Sequence, residues 1–298
     1  MKKILITGAS GFVGKNILKN LSTIYSFNCL TRNDLKDNNI IINEELIIHL
    51  AGLAHDTNDN VYFEEYYEVN TKLTKYIWDA FLNSKADCFI YISSIKAVRD
   101  HFSGILTEDI EPMPTTPYGK SKLMAENIIL NSELPSNKRF YIIRPSMIYG
   151  EENKGNLNLL YRYTALKLPW LLASFTNKRT LCSINNLNFI IQNLIEKKDV
   201  KSGVYNVCNS ENISTNEIVN LIGKTLNFKI LFLKIPKPII LFIAKLGNFF
   251  RIPFNSNNLI KLTENYIVSN SKILSAINAE LPDTTEESLL NTFKTFKI

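Results

Sequence analysis

The sequence contains few of the residue types that build metal sites. Only three of its 298 residues are histidines. These are His49, His55 and His101. Their positions do not have the spacing of metal ligands, so we predict no metal site.

Cysteine is scarce as well, and its spacing argues against a disulfide framework or a zinc motif. The four cysteines are Cys29, Cys88, Cys182 and Cys208. No two of them form a Cys-x-x-Cys pair, and each lies beside strand-like apolar residues. We therefore expect four buried free thiols in a reducing compartment, which indicates a cytoplasmic protein.

Long hydrophobic runs are also missing. The N-terminal MKKILITG stops being apolar at Thr7, which favours a first strand over a signal peptide. The longest apolar stretch, Ile239–Ala244, is too short to span a bilayer. We expect the segment 236–254 to pack inside the C-terminal part of the protein, with peripheral membrane contact as the weaker alternative.

The charge balance is mildly basic, with 34 Lys and Arg against 28 Asp and Glu, a net charge of +6. Such a charge suits a polyanionic small molecule such as a nucleotide diphosphate, and also nucleic acid or an anionic membrane. The basic residues are spread along the chain, which favours an ordinary solvated surface, and we expect no nucleic-acid partner.

Apolar strand-like runs alternate with helical patterns over the first two thirds of the chain. The predicted strands are 3–6, 27–31, 46–50, 88–92, 140–143 and 203–208. The predicted helices are 13–22, 61–84, 118–130 and 214–226, the last capped by Ser214 and Glu217. Strands that are apolar on both faces indicate an α/β fold with a doubly wound parallel sheet. Ligands bind such sheets beyond the carboxyl ends of the strands.

A glycine-rich turn, TGASGFVG at 7–14, joins the first strand to the first helix. Glycine permits the close backbone approach, and the helix N-terminus offers free amides to a pyrophosphate. The turn therefore predicts a dinucleotide site. At the end of the second strand Arg32 favours the 2′-phosphate of NADP(H), although Asp34 nearby leaves NAD(H) open.

Tyr118 and Lys122 are four residues apart and share one helix face. An ammonium group beside a phenol lowers the phenol's pKa, so the pair predicts a proton donor and acceptor that works near neutral pH. Ser94, at the end of the preceding strand, would add a hydroxyl to the same substrate oxygen. An isolated pair of this kind is usually a surface feature, but here it follows the glycine turn and a Ser-Ser strand end in order.

Six motifs in the first half resemble those of the extended short-chain dehydrogenases, which include nucleotide-sugar epimerases, dehydratases and reductases. They are TGASGFVG at 7–14, HLAG at 49–52, VNT at 69–71, ISSIK at 92–96, PYGKSK at 117–122 and RPSMIYG at 144–150. The resemblance implies a Rossmann domain of 1–150 plus about 180–208, and a smaller interleaved α/β substrate lobe of 151–179 and 209–298. It implies Ser94, Tyr118 and Lys122 as the catalytic set, and a homodimer through the helices at 61–84 and 118–130.

The resemblance also assigns binding residues. Those implied for the cofactor are Gly8, Ser10, Gly11, Phe12, Val13, Arg32, Leu50, Ala51, Gly52, Asn70, Ile92, Tyr118, Lys122 and Pro145. Those implied for the substrate are Ser94, Lys96, Met147, Asn156, Leu157 and Arg179, with Asn156 and Leu157 in the nucleotide-holding segment KGNL at 154–157 and Arg179 as the diphosphate clamp.

Departures from the family motifs narrow the predicted reaction. Ile95-Lys96 stands where the dehydratases carry an Asp-Glu pair, and Met147 where UDP-glucose 4-epimerases usually carry Asn. These residues and Arg32 favour an NAD(P)H-dependent reductase. SSIKAV at 93–98 and the RTL…NNL stretch at 179–187 resemble the reductases of bacterial surface-polysaccharide synthesis, which implies a UDP-4-keto-6-deoxy-N-acetylhexosamine as substrate. The alternatives are an NAD-dependent UDP-hexose or UDP-N-acetylhexosamine 4-epimerase and, less favoured, a non-catalytic redox sensor. The short region 33–45 leaves little room for a helix and puts adenine contacts in doubt.

Overall fold

A computed structural model describes residues 1–35, 40–53, 62–153, 155–250 and 254–296. The strands are β1 Lys3–Thr7, β2 Ser26–Leu30, β3 Leu46–His49, β4 Cys88–Ile92, β5 Ile105–Leu106, β6 Arg139–Pro145, β7 Met147–Tyr149, β8 Arg179–Ser183, β9 Gly203–Val207, β10 Asn212–Ile213 and β11 Ile267–Val268. The α-helices are α1 Phe12–Leu21, α2 Phe63–Tyr66, α3 Leu73–Leu82, α4 Pro117–Leu130, α5 Asn156–Ala165, α6 Ile184–Glu196, α7 Thr215–Thr225, α8 Lys237–Phe250, α9 Ser256–Thr263, α10 Ser271–Ile277 and α11 Thr285–Thr295.

Six strands of the described residues form one parallel sheet in the order β2-β1-β3-β4-β6-β9. One face packs mainly against α1, α6 and α10, and the other mainly against α3 and α4. The central strands β1, β3 and β4 are almost wholly buried, as expected of strands covered on both faces. The predicted doubly wound sheet of Rossmann type is confirmed. The order of strands reverses between β1 and β3, so the carboxyl ends of these two strands flank a crevice.

Two smaller sheets lie beside the large one. Strand β8 pairs with β7 in parallel and with β10 in antiparallel fashion, and β11 pairs with β5. A separate hydrophobic core joins α5, α7 and α11 to this three-stranded sheet. The residues of β7, β8 and α5 therefore lie next to the crevice without belonging to the large sheet.

The helix predicted over 61–84 contains a π-helix, Tyr67–Lys72, between α2 and α3. Residue 61 of that prediction, together with His55, lies outside the described residues. Sequence periodicity cannot distinguish an α-helix from one with a single wider turn, because the apolar stripe shifts by only one residue. Such wider turns often occur at functional sites.

The exposure of Cys29 corrects the prediction that all four cysteines are buried. Cys88, Cys182 and Cys208 are buried free thiols, but Cys29 is exposed. Strand β2 lies at the edge of the sheet, and the described residues between β2 and β3 form no covering helix. The short connection noted at 33–45 is the physical reason, although residues 36–39 lie outside the described part.

The exposure of helix α8 corrects the prediction that the segment 236–254 packs inside the C-terminal part of the protein. Only Ile240, Ala244 and Gly247 of this helix are buried, whereas most of its large apolar side chains are exposed. The expectation that the whole segment packs inside the C-terminal part was therefore wrong for this helix. Residues 251–253 of the segment lie outside the described part. None of the helices that the structure describes is long and apolar enough to cross a membrane.

Candidate active site

The turn between β1 and α1 is shaped for close contact with a ligand. Gly8 has φ +74°, and a Cβ there would lie 2.7 Å from the amide nitrogen of Ala51. A Cβ on Gly14 would lie 2.5 Å from the carbonyl oxygen of Gly8. Helix α1 begins after Gly11 without a side-chain cap, so the amides of its first turn remain open to an anion. This cradle fits the pyrophosphate of a dinucleotide. Ser10 and Gly11 are exposed there, while Phe12 and Val13 pack partly against the core.

A buried histidine holds the two sides of the crevice together. His49, wholly buried at the end of β3, bonds Thr7 Oγ1 through Nδ1 at 2.7 Å and Thr74 Oγ1 through Nε2 at 3.0 Å. Thr74 Oγ1 donates to the carbonyl of Asn70, so its lone pairs accept from His49 Nε2–H. This network requires a neutral imidazole. Burial, helped by the charge of Lys122, lowers the pKa of His49 to about 3.

Asn70, on the π-helix, fixes the loop that follows β3. Its Oδ1 accepts from the amide of Leu53 at 2.7 Å, and its Nδ2 donates to the Leu53 carbonyl and to Ser121 Oγ. Its side chain is fully buried, so these bonds position the loop 51–53 against α4. A direct contact of Asn70 with a cofactor stays a prediction, as do contacts of Leu50 and Ala51, which are half-buried, and of exposed Gly52.

Ser94 and Tyr118 meet at the centre of the crevice. Ser94 begins the short 3-10 helix Ile95–Ala97 directly after β4, and its side chain is hydrogen-bonded to that of Tyr118. Tyr118 is held in the first turn of α4, which Thr116 caps by accepting a hydrogen bond from the Gly119 amide at 3.2 Å. The ring of Tyr66 lies edge-on to it at 6.0 Å. The structure thus joins two of the three predicted catalytic side chains.

Lys122 takes a different position from the one its spacing predicts. Its ammonium donates to the Ile92 carbonyl at 3.0 Å and lies 4.9 Å from the ring centre of Tyr91. Burial lowers the pKa of Lys122 to about 8, although Glu126 opposes this shift. Burial raises the pKa of Tyr118, and the Ser94 hydrogen bond only partly offsets it. The lowering of the Tyr118 pKa by Lys122 is therefore absent from this arrangement, because the ammonium is directed at a backbone carbonyl.

Sequence reasoning missed a buried ion pair behind the site. Arg144 in β6 donates from Nη2 to Glu126 Oε2 at 2.6 Å and from Nε to both carboxylate oxygens, and both residues are almost fully buried. Ser93 Oγ donates to the same carboxylate at 2.5 Å. The pair ties helix α4, which carries Tyr118 and Lys122, to β6, next to Ser94. Its only sequence signal is that Glu126 lies four residues after Lys122, on the same helix face.

Asp100 is a second missed residue. Its carboxylate accepts hydrogen bonds from the backbone amides and hydroxyls of Thr115 and Thr116, four in all, at 2.7–2.9 Å. These bonds hold the pKa of Asp100 below its ordinary value, although its burial acts in the opposite direction. Because Thr116 caps α4, Asp100 fixes the point at which the helix carrying Tyr118 begins.

Lys96 and Arg179, predicted from distant parts of the sequence, come together on the substrate side. Lys96 Nζ donates to the Asp100 carbonyl at 2.6 Å and lies 4.5 Å from the ring centre of Tyr266. Arg179, in β8, pairs with Tyr266 across a β-bridge and donates to the Lys261 carbonyl at 2.6 Å. Burial lowers the pKa of both cations, and Glu264 opposes this in each case. An anion placed here would meet two partly desolvated positive charges.

The other predicted substrate residues are more scattered. Met147 is half-buried in β7, and Asn156 is exposed at the start of α5. Leu157 is only 3% exposed and its side chain belongs to the second hydrophobic core, so its contact with the substrate stays a prediction that falls to its backbone. Its apolar side chain packs inward because it lies on the buried stripe of α5. Lys154 lies outside the described residues.

The residues that follow β2, where the adenine ribose of the cofactor is expected, do not distinguish NAD from NADP. Arg32 is exposed after β2. Asp34 turns back and accepts from the amide and hydroxyl of Thr31, both at 2.7 Å, which lowers the pKa of Asp34. Pro145 is buried at the end of β6, and Ile92 is buried at the end of β4. The positions of Arg32 and Asp34 therefore favour neither the 2′-phosphate of NADP nor the 2′-hydroxyl of NAD. No cluster of three or more His, Cys, Asp or Glu side chains in the described ranges is placed to hold a metal.

Comparison with known proteins decides the family. A profile of the NAD dependent epimerase/dehydratase family matches residues 4–208, more than half of the chain. The chain belongs to this family. The match spans every strand of the parallel sheet and the whole Ser94–Tyr118–Lys122 set, and confirms the resemblance to the extended short-chain dehydrogenases.

Two relatives of this epimerase/dehydratase chain carry more detail. It is 32% identical over 246 residues to a UDP-glucose 4-epimerase of Vibrio cholerae, covering 73% of this chain and 74% of the relative. It is 27% identical over 259 residues to an N-acetyl-alpha-D-glucosaminyl-diphospho-ditrans,octacis-undecaprenol 4-epimerase of Escherichia coli O157:H7, covering 79% and 76%. Its fold matches the crystal structure of a UDP-glucuronic acid 4-epimerase from Bacillus cereus in complex with NAD, at 20% identity and TM-score 0.76, over 99% of this chain and 98% of that one.

Proposed function

We propose that the chain is an NAD-dependent 4-epimerase of a UDP-sugar. The observation that carries this is its 32% identity, over 73% of its length, to the Vibrio cholerae UDP-glucose 4-epimerase. The hydrogen-bonded Ser94–Tyr118 pair supports it. The 4-keto reductase favoured by the sequence motifs ranks second, because both of the curated relatives described above are 4-epimerases.

The cradle around Gly8 and Gly11 and the loop Leu50–Gly52 would hold the dinucleotide, with Lys122 near its nicotinamide end. Bound NAD+ would supply reversible hydride transfer at the sugar carbon. Tyr118 Oη would take the proton of the sugar 4-hydroxyl and later return it to the 4-oxygen. Ser94 Oγ would orient that oxygen.

In the arrangement described, the Lys122 ammonium is directed at the Ile92 carbonyl, so it would make the phenolate of Tyr118 accessible only after turning towards Tyr118. Its pKa of about 8 leaves the ammonium mostly protonated at neutral pH. Its carbonyl partner at Ile92 is a neutral acceptor, so the positive charge is not cancelled there. Turned towards Tyr118, this positive charge would oppose the effect of burial on the Tyr118 pKa.

The substrate would lie between the parallel sheet and the lobe formed by 151–179 and 209–298. Arg179 and Lys96 are close enough to interact and are partly desolvated, which suits a diphosphate. Asn156 lies at the exposed N-terminus of α5 and would contact the nucleoside side. We also propose the homodimer through the helices at 61–84 and 118–130, which sedimentation of the purified protein tests.

The decisive experiment gives the protein UDP-glucose and, separately, UDP-N-acetylglucosamine with no added nicotinamide cofactor. NMR then follows formation of the 4-epimer, and the bound dinucleotide is extracted and identified. Turnover with retained NAD supports the epimerase. Absence of turnover, an empty cofactor site, and oxidation of NADPH with a UDP-4-keto sugar would instead establish the reductase. Tyr118→Phe is the inactive control in both arms.

The second candidate substrate carries its sugar on a polyprenyl diphosphate. The Escherichia coli O157:H7 relative is named for such a substrate and covers more of this chain than the Vibrio cholerae relative does. A diphosphate is common to both carriers, so the Arg179 and Lys96 cations do not distinguish them. Parallel assays with UDP-linked and polyprenyl-diphosphate-linked N-acetylglucosamine do.

A further inference from the structure

Helix α8 presents an apolar face away from the rest of the protein. Its buried side consists of Ile240, Ala244 and Gly247, and a Cβ on Gly247 would lie 1.9 Å from the carbonyl oxygen of Phe254. The helix is thus seated closely along one narrow seam. Its large exposed apolar side chains, called here the α8 face, are Ile239, Leu241, Phe242, Ile243, Leu246, Phe249 and Phe250.

The side chains of the α8 face are highly exposed to solvent. Phe249 is 80% exposed, Phe250 66% and Phe242 62%. Ile239, Phe242, Leu246 and Phe249 recur at intervals of three and four residues, so they form one stripe on the side remote from the buried seam. Contiguous exposed aromatic and aliphatic side chains mark an interaction surface.

Charge on the surrounding chain indicates what covers this face. Between Glu217 and Glu264 there is no Asp or Glu, whereas there are seven Lys and Arg residues. The range 155–195, whose residues Trp170 and Leu172 bridge to Phe232 and Lys234, also lacks acidic residues. Although basic residues occur along the whole chain, these two stretches of sequence carry no acidic residue to balance them, apart from the pairing of Lys224 with Glu286, and this favours an anionic partner.

The same charges argue against a second copy of this chain as the partner. Two α8 faces brought together would oppose two sets of cations with no carboxylate between Glu217 and Glu264 in either copy. Helix α8 has 14 residues and spans about 21 Å, less than the roughly 30 Å of a bilayer core. Its geometry therefore suits a position in the plane of the lipid surface, with the aromatic side chains inserted and the lysines at the phosphates.

We propose that the α8 face docks this protein on an anionic phospholipid bilayer. This inference goes beyond the proposed function and does not depend on which sugar carrier the active site uses. Lys234 and Lys245, both exposed, flank or lie on the helix and would contact lipid phosphates. Lys237 stays with the protein, because its ammonium lies 5.5 Å from the ring centre of Phe175.

The test is flotation of the full-length protein with vesicles of phosphatidylcholine alone and with vesicles containing phosphatidylglycerol. We expect binding to the anionic vesicles that weakens as NaCl is raised. The double variant Phe242→Ser with Phe249→Ser should bind about tenfold more weakly or worse. Its matched control is Leu159→Ser, an equally exposed leucine on α5. Lys234→Glu with Lys245→Glu should also weaken binding, with Lys294→Glu as control.

Several outcomes would overturn the proposal. Equal binding of wild type and the Phe242/Phe249 variant would do so, as would no binding to anionic vesicles. Concentration-dependent dimerisation that the same variant abolishes, without vesicle binding, would assign α8 to a self-interface. Epimerisation of a UDP-sugar in lipid-free solution should be unchanged in the variant, so failure of docking and failure of the proposed activity are distinguishable.

Discussion

His49 shows how one side chain links the fold to pH. In the folded protein its imidazole must stay neutral to bond Thr7 and Thr74, and its pKa is about 3. In the unfolded chain a histidine has a pKa of about 6.5. Below pH 6.5 the unfolded state therefore binds a proton that the native state does not, and stability falls progressively as the pH falls towards 3.

This linkage gives a measurable slope. Between pH 6.5 and 5 we expect His49 to remove about 2 kcal/mol from the free energy of unfolding. Urea unfolding of His49→Gln should show a correspondingly smaller loss over this range, on a lower starting stability. Identical slopes in wild type and His49→Gln would contradict the neutral imidazole.

Tyr118 is the residue that we propose for proton transfer. Tyr118→Phe removes the hydroxyl bonded to Ser94 but keeps the ring packed beside Tyr66. We expect kcat to fall by about 10²–10⁴-fold, the usual contribution of a positioned acid–base group. Dinucleotide content after purification should be unchanged. A variant with near wild-type kcat would assign proton transfer to another group.

Cys29 gives a simple check of exposure. One thiol of the native protein should react readily with a thiol reagent and four after denaturation, because Cys88, Cys182 and Cys208 are buried. Partial burial raises the pKa of Cys29, so its reaction should accelerate as the pH is raised above neutrality. Cys29→Ser should lose the fast reaction. Fast reaction of more than one thiol would indicate that the core opens readily.

Helix α4 is positioned by two devices that act at different ends. Asp100 fixes its N-terminus through Thr115 and Thr116, and the Glu126–Arg144 pair fixes its middle against β6. Tyr118 and Lys122 lie between these anchors. The proposed positions of Tyr118 and Lys122 therefore depend on Asp100 and on the Glu126–Arg144 pair.

Asp100→Asn tests the first anchor. The amide nitrogen cannot accept hydrogen bonds, so at least one of the donors on Thr115 and Thr116 is left unpaired. We expect a loss of about 2–3 kcal/mol in stability, since hydrogen bonds to a carboxylate are the stronger kind. The difference in stability between wild type and Asp100→Asn should shrink as the pH falls. Because the pKa of Asp100 is lowered in the folded protein, protonation of its carboxylate by acid removes this stabilisation from the wild type. Asp109→Asn, at an exposed site, is the control.

Glu126→Gln tests the second anchor. It leaves Arg144 buried with a neutral partner, and breaking a buried pair on one side costs about 3–5 kcal/mol. Replacing both residues by apolar ones of similar size should recover much of the stability. A kcat that stays low in that double variant would show that the pair positions α4 for catalysis, whereas full recovery would make its role purely structural.

The whole molecule combines a rigid parallel sheet with a basic C-terminal region. The crevice at the strand carboxyl ends collects Ser94, Tyr118 and the glycine turn from separate elements, as the topology requires. The stretch of sequence that contains α8, between Glu217 and Glu264, has no acidic residue. Our two proposals thus place cofactor chemistry and surface attachment in different parts of one chain.

Local sequence determined the elements and their order. Apolar runs and the glycine turn identify the strands and α1, because strand burial and turn geometry are properties of neighbouring residues. The pair Tyr118 and Lys122 is readable for the same reason, since their spacing is that of one helical turn. The capping box of Ser214 and Glu217 also formed as predicted.

Only the tertiary structure decided which side chains meet across the fold. Asp100 with Thr116, Ser93 with Glu126, and Arg144 with Glu126 are separated by 16, 33 and 18 residues, distances at which no periodicity applies. Lys122 turned to a carbonyl of β4, which its helical spacing to Tyr118 could not show. The apolar sequence of α8 predicted that the helix is buried, but most of its large side chains are exposed. Hydrophobicity gives only a preference for burial, and whether another surface covers the helix depends on the rest of the fold.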